Sequence, residues 1–176
     1  MLRIERVAIT DAAAQALIEE VQEEYVRRYG GRDESPVEAA AFEDPVGAFF
    51  VGYLGDVPLA MGGWRRRPDV RRLDARDPAE IKRMYVAPAG RRSGLARRML
   101  AHIEVTALAD GIDVMVLETG TEQPEAIALY VSSGYARVES FGHYAWSPKN
   151  RCFGKTLEPP AGITDRVGGS SLATGG

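Results

Sequence analysis

The sequence predicts an α/β protein of the α+β type, built on one mixed, mostly antiparallel sheet of about seven strands with helices on both faces. Seven short runs rich in Val, Ile, Phe and Tyr are bounded by Gly, Pro, Asn and Asp, as strands are. Stretches with apolar residues at helical spacing interleave with those runs. The pair Gly55-Asp56 joins two of the runs by hairpin turn chemistry, which makes that part of the sheet antiparallel. One sheet covered by helices satisfies this order, and 176 residues fit a single domain.

Taken in order, residues 2–9 form the first strand, with Leu2, Ile4, Val7 and Ile9 as its apolar positions. Asp11 caps an Ala-rich amphipathic helix carrying Leu17, Ile18, Val21, Tyr25 and Tyr29, and Gly30-Gly31 stops it. A short helix is expected around Pro36 to Phe42. Gly47 to Leu54 and Val57 to Trp64 are the hairpin strands, and residues 65–78 are a polar loop. Ile81 to Val86 is a strand ended by Pro88 and Gly90. Gly94 to Ala109 is the strongest helix, with an apolar stripe of Leu95, Met99, Leu100, Ile103 and Leu108. Ile112 to Leu117 is nearly all apolar, hence a strand buried on both faces. Pro124 opens a helix through Tyr130 that Gly134 ends. Tyr135 to Glu139 and Arg151 to Leu157 complete the strands. The domain is therefore expected to span residues 1–158, with 159–176, rich in Gly, Ser and Pro, as a flexible tail.

Composition narrows the function. A net charge of −3 provides no global basic field, so nucleic-acid and anionic-membrane partners are not expected. Positive charge is local instead, in Arg65, Arg66, Arg67, Arg71 and Arg72 and again in Arg91, Arg92, Arg97 and Arg98, a pattern that suggests anion sites. One cysteine, Cys152, and two distant histidines, His102 and His143, predict neither a disulfide nor a metal centre. Met1 leads into Leu-Arg-Ile-Glu-Arg without the apolar core of a signal peptide, and no apolar run approaches the roughly 20 residues needed to span a bilayer. A cytoplasmic location is expected.

The stretch Val86-Ala87-Pro88-Ala89-Gly90-Arg91-Arg92-Ser93-Gly94-Leu95-Ala96 joins a strand to the strongest helix. A Gly-containing turn that opens a helix presents free N–H groups and the positive end of the helix dipole, which suits phosphate oxygens. There is no Walker lysine motif, so nucleotide hydrolysis has no support. This stretch resembles the signature of the GNAT N-acetyltransferase superfamily, Gln/Arg-x-x-Gly-x-Gly/Ala after a Val-x-Pro element. The resemblance continues through Glu125-Ala126-Ile127-Ala128-Leu129-Tyr130 and Ser133-Gly134-Tyr135. It covers about residues 47–157 well and residues 1–46 in layout only.

The resemblance implies an enzyme that uses acetyl-CoA as cosubstrate, without metal, and moves the acetyl group to a primary amine by direct attack in a ternary complex. It assigns the coenzyme's diphosphate to Arg91, Arg92, Ser93, Gly94, Leu95, Ala96 and Arg97, and its pantetheine arm to Met84, Tyr85, Val86, Gln123 and Ala126. Gln123 departs from the family's usual Asn, and Ala96 replaces Gly. The Met84 N–H is implied as the oxyanion donor and Tyr130 as the general acid that also touches the cofactor. For the base, the resemblance places Glu80, which on its strand shares one face with Lys82, Met84 and Val86 and so points towards the cofactor side. Glu118, at the end of the buried strand, is the rival. Trp64, Phe49, Tyr53 and the loop Phe141-Gly142-His143-Tyr144 are candidates for the acceptor pocket. Cys152 has no evident activating partner. The acidic residues Glu19, Glu20, Glu23 and Glu24 form either an attractor for a cationic acceptor or an ordinary solvated face. The acceptor is a small or amino-acid-like amine, with a protein lysine or N-terminus, or a non-catalytic acetyl-CoA-binding regulatory module, as alternatives. Relatives that pair through sheet edges make a homodimer conceivable.

Overall fold

Asp11 shows how closely local chemistry sets the element boundaries. Its carboxylate accepts from the amides of Ala13 at 2.8 Å and Ala14 at 3.4 Å, fixing the start of helix α1 (Ala12–Tyr29). Gly30, at φ 80°, closes the same helix with its N–H on the Val26 carbonyl. The computed structural model describes residues 1–159. The tail expected at 159–176 falls, from residue 160 onward, outside the described residues.

The strands are β1 (Leu2–Val7), β2 (Gly47–Leu54), β3 (Val57–Arg66), β4 (Pro78–Val86), β5 (Val114–Gly120), β6 (Ala136–Arg137) and β7 (Asn150–Thr156). Helix α2 (Leu95–Ala109) lies between β4 and β5, and α3 (Pro124–Ser132) follows β5. All seven strands form one sheet in the order β1-β2-β3-β4-β5-β7-β6. Every neighbouring pair is antiparallel except β4 and β5. The expected mixed sheet is therefore present, with differences at the edges. Between Pro36 and Phe42 only Ala39–Phe42 winds, as a single 3-10 turn. Strand β4 begins at Pro78, three residues before Ile81; as the strand's first residue, a proline forfeits little of the ladder. Strand β6 keeps two residues of the five expected from Tyr135 to Glu139.

Each face of the sheet has its own core. On one face, α2 and α3 bury Leu100, Ile103 and Tyr130 against Phe50, Trp64, Ile81 and Leu117. On the other, α1 buries Leu17 and Val21 against Phe49, Val51, Met61 and Tyr85. Trp64 and Phe49 are thus core residues, and Trp64 donates its Nε1 proton to Thr106 Oγ1 at 3.2 Å. Tyr53 lies on β2 beneath the Arg3 guanidinium. None of the three lines either of the two cavities at the split end of the sheet.

One irregularity in the sheet positions the site. Register between β3 and β4 passes from Met61 opposite Tyr85 to Gly63 opposite Lys82, so Arg83 and Met84 together oppose Gly62. Arg83 takes a left-handed φ of 56°. This is a β-bulge, and an extra residue inverts the in-and-out alternation beyond it. Ala79 and Ile81 face the core under α2, and so does Met84 after the bulge, while Tyr85 faces α1. The expectation that Glu80, Lys82, Met84 and Val86 share a face is therefore corrected: Glu80 and Lys82 point opposite to Met84.

Close strand packing makes a testable demand at Gly63. A β-carbon there lies 2.5 Å from the Ala48 carbonyl oxygen and 2.6 Å from Phe49 Cδ2. Gly63→Ala is expected to lower stability by ~1–3 kcal/mol through overpacking, read as a lower urea midpoint at an unchanged slope.

Candidate active site

Strand β4 runs into the Gly-rich turn and then into α2, so the main-chain groups of three consecutive segments converge at one end of the sheet. Gly94 caps α2 with φ 81°, and no side chain caps that end of the helix. The amides of Leu95, Ala96 and Arg97 thus lack a side-chain acceptor. The first amide of the helix with an acceptor is that of Arg98, on the Gly94 main-chain carbonyl at 3.1 Å. Ser93 Oγ donates to the Gly90 carbonyl at 2.6 Å and draws the loop tight. Such a cradle offers N–H groups and a positive dipole end to an anion.

The loop's arginines are not equivalent. Arg91 donates to the Val86 carbonyl at 3.0 Å and to Glu24 Oε2 at 2.6 Å. Glu24 also binds Arg28 at 2.7 Å. Burial works against the charge on Glu24, but the two guanidiniums outweigh it and hold the carboxyl below the usual carboxylate range. Arg97 donates to Ser132 Oγ at 2.8 Å and Ser133 Oγ at 3.1 Å, tying α2 to the end of α3. Arg92 is exposed and has no carboxylate partner among the described residues. Of the acidic helix residues, Glu19 pairs with Arg32 and Glu24 with Arg28 and Arg91, so these two serve structural ion pairs.

Beyond the loop the sheet splits. Strands β4 and β5 pair only from Pro78–Ile81 against Val114–Leu117. After Ile81 and Leu117 they part, and a cavity of about 60 Å³ opens between Met84, Glu118, Gln123, Ala126 and Tyr130. A larger cleft of about 530 Å³ adjoins it. Lys82, Glu118, Thr119 and Gln123 belong to the walls of both.

The model of the acetyltransferase (GNAT) family matches residues 14–135, more than half of the chain and inclusive of the loop, the split and Tyr130. The chain belongs to the GNAT acetyltransferase family. An Azospirillum brasilense protein named "IAA acetyltransferase" is 41% identical over 78 residues, 44% of this chain and 51% of that protein. The chain thus spans about half the length of that curated relative. A crystal structure of a Klebsiella pneumoniae protein named as an acyl-CoA N-acyltransferase superposes with a TM-score of 0.72 at 25% identity, over 90% of this chain and 99% of that one. PaiA N-acetyltransferase from Thermoplasma acidophilum, solved in complex with coenzyme A, shares the fold at 13% identity. Its TM-score is 0.65, over 89% of this chain and 99% of its own.

In this GNAT protein four of the residues predicted for the pantetheine and sulfur end come together, whereas Tyr85 is buried in the core under α1 and Val86 packs beside it, neither lining the small cavity. Met84, Gln123, Ala126 and Tyr130 line the small cavity. Gln123 Nε2 donates to the Tyr29 hydroxyl at 3.1 Å, so its amide is engaged with α1. Tyr130 is 5% exposed and packs edge-on against Tyr135, with ring centroids 5.6 Å apart. Burial raises its phenol far above the ordinary value, with the neighbouring Tyr25 adding to the effect.

The two candidate bases sit in opposite electrostatic settings. Glu80, 2% exposed, accepts on Oε2 from Arg65 Nε at 3.1 Å, from Arg65 Nη2 at 3.0 Å and from Arg67 Nη1. Glu118 lines both cavities, and burial raises its carboxyl above the ordinary value of 4.5, with Asn150 working the other way. Asn150 Nδ2 donates to Glu118 Oε2 at 2.7 Å, and Asn150 Oδ1 accepts from Cys152 Sγ at 3.1 Å. Cys152 is buried, and burial raises its thiol, in keeping with an unreactive strand residue.

Sequence reasoning did not find Asn150, Lys82, Tyr29 or Trp146 as site residues, because each reaches the cleft only through the tertiary fold. Tyr144, named within the 141–144 loop, does line the cleft, with its hydroxyl accepting from the Glu34 amide at 2.8 Å. His143 is exposed and packs against Tyr144. The arginine run 65–67, read as an anion site, is consumed internally by Glu80, Asp77 and Asp69. Among the described residues no helix is long and apolar enough to cross a membrane, and no group of His, Cys, Asp and Glu is arranged to hold a metal.

Removing Glu80 leaves two guanidiniums without their shared partner. Glu80→Ala is accordingly expected to cost ~3–5 kcal/mol and to lower the thermal midpoint. A variant of unchanged stability and reduced turnover would instead restore Glu80 to a direct catalytic role.

Proposed function

We propose that this chain transfers the acetyl group of acetyl-CoA to a primary amine by direct attack in a ternary complex. The observation that supports it most is the meeting of two cavities. One, at the split between β4 and β5, is lined by Met84 and Tyr130, and the other is an open cleft, with Glu118 on their common wall. The residues fit the cosubstrate: uncapped helix amides for its diphosphate, a strand edge without a β5 partner beyond Ile81 for its arm, and a narrow cavity walled by Met84, Ala126 and Tyr130 beside polar groups for its thioester end. Acetyl-CoA supplies an activated acyl carbon with a thiolate leaving group.

The chain's residues divide the remaining work. The ammonium of an amine, pKa ~10, has no lone pair and must lose a proton. Glu118, with its affinity for a proton raised by burial, is the base this reading assigns, in preference to the ion-paired Glu80. Met84 stands at the bulge and lines the cavity, and its N–H is assigned to stabilise developing negative charge. Tyr130 is assigned to protonate the departing sulfur. In water a phenol near 10 and a thiol near 8.5 differ by about 1.5 units, and burial lifts the thiolate's basicity along with that of the phenol.

Two variants and a pH profile test the assignment. Tyr130→Phe is expected to bind acetyl-CoA as the parent does while kcat falls ~10²–10⁴-fold, measured by thiol release; unchanged turnover removes Tyr130 from the mechanism. In the parent, kcat/KM is expected to rise with pH as Glu118 gives up its proton, along a limb lying above 4.5 because the carboxyl is raised. Glu118→Gln is expected to lose that limb with the fold intact. The amine's own limb near 10 persists in both. Failure of coenzyme A to protect the 86–97 loop from proteolysis or hydrogen exchange would overturn the whole reading.

A further inference from the structure

We infer that the acceptor is an aromatic primary amine bearing a carboxylate, such as an aromatic α-amino acid, held with its ring against Tyr29, Tyr144 and Trp146 and its carboxylate at Lys82. The inference rests on the acetyl-transfer reading above and deepens it by naming what the 530 Å³ cleft accepts. That volume falls within the range of about 300–1,000 Å³ common to small-molecule sites.

The walls supply the ring's contacts. Tyr29 stands at the end of α1, while Tyr144 and Trp146 come from the segment between β6 and β7. Trp146 is 78% exposed at the cleft, a large indole surface left in water. Covering it gains about 25 cal/mol for every Å² removed from solvent. Tyr144 and Tyr29 are already held by hydrogen bonds, from the Glu34 amide at 2.8 Å and from Gln123 Nε2 at 3.1 Å. Rigid aromatic faces lose little entropy when a flat ring settles on them.

The charges select the other end of the ligand. The cleft's cations are Arg32, Lys82 and Lys149, and its carboxylates are Asp33, Glu34 and Glu118. Arg32 is held by Glu19 through two bonds of 2.7 Å, Lys149 pairs with Glu122 at 3.3 Å, and Asp33 pairs with Arg83 at 2.7 Å. At the wall shared with the small cavity, this leaves Lys82 and Glu118. The Lys82 ammonium donates to Ser35 Oγ at 3.0 Å, and its nearest carboxylate oxygen, on Glu80, is 4.0 Å away, on a carboxylate that already serves Arg65 and Arg67. One cation and one anion side by side complement a zwitterion. A polyamine would set its second cation against Lys82, which like-charge repulsion disfavours.

The step balances. Glu118 first takes one proton from the ammonium and passes it to solvent; the neutral nitrogen then forms a bond to the acetyl carbon and the carbon–sulfur bond breaks. The nitrogen's surplus proton passes to Glu118, and the sulfur receives the Tyr130 proton; solvent then restores both groups.

The test is a kinetic comparison at saturating acetyl-CoA among L-tryptophan and L-phenylalanine, tryptamine and phenethylamine, L-alanine, spermidine and a lysine-containing peptide. The aromatic amino acids are expected to exceed both the ring-only and the carboxylate-only amines by about tenfold or more in kcat/KM, the effect of one hydrogen bond to a charged group. Lys82→Met should erase the advantage of L-tryptophan over tryptamine, and Trp146→Ala should raise KM for both. Preference for spermidine or the peptide, or an unchanged L-tryptophan to tryptamine ratio in Lys82→Met, overturns the inference and leaves acetyl transfer standing. Absence of any amine acetylation, with coenzyme A still protecting its loop, overturns both.

Discussion

The divergence of β4 from β5 is the constraint on which the rest of the molecule turns. A parallel pair continued past Ile81 and Leu117 would close the sheet and leave no space between Met84 and Tyr130. The bulge at Arg83 and Met84 accompanies that separation, since an extra residue bends a strand and strengthens its twist. It also decides which chemistry faces where. Lys82 is turned toward Ser35 and the cleft, Met84 toward the core under α2, and Arg83 toward Asp33 at 2.7 Å. Burial raises the Asp33 carboxyl, but Arg83 and Lys82 outweigh that and keep it low, so the bulge is anchored by a charged pair.

Parts of this architecture were legible in the chain because they depend on neighbours in sequence. Asp11, Gly30, Gly55-Asp56 and Gly94 each mark a boundary where the structure has one, since caps and turns follow from the backbone preferences of a few adjacent residues. The stretch from Val86 to Ala96 was legible for the same reason. The face occupied by Glu80 was not. Period-two alternation predicts it correctly only for a strand without a bulge, and nothing in Lys82-Arg83-Met84 announces one. The short β6 and the early start of β4 likewise depend on which strand offers a partner. The walls of the cleft come from the end of α1, the end of β5 and the segment before β7, a convergence that exists only once the sheet has formed.

The arginines carry a related lesson. Density of positive charge along the chain pointed to anion sites, yet most of these side chains act as internal ties. Arg66 reaches the Pro45 carbonyl at 2.9 Å and the Asp110 carbonyl at 2.8 Å, and Arg72 reaches the Glu139 and Ser140 carbonyls at 3.2 and 3.3 Å. Five donors in a planar fork suit such bridging between segments far apart in sequence. Within the loop that opens α2, Arg91 is already bound to Glu24 and Arg97 to the serines that end α3. Main-chain amides, more than guanidiniums, are therefore what that loop leaves open.

The cleft is assembled from the tips of elements, whereas both cores lie beneath their middles. Tyr144, Trp146 and Lys149 can change without opening a void beside Phe49 or Ile103. A lineage of such proteins is thus able to reshape this cleft by substitutions that cost the scaffold almost nothing, while the split sheet beneath remains as it was.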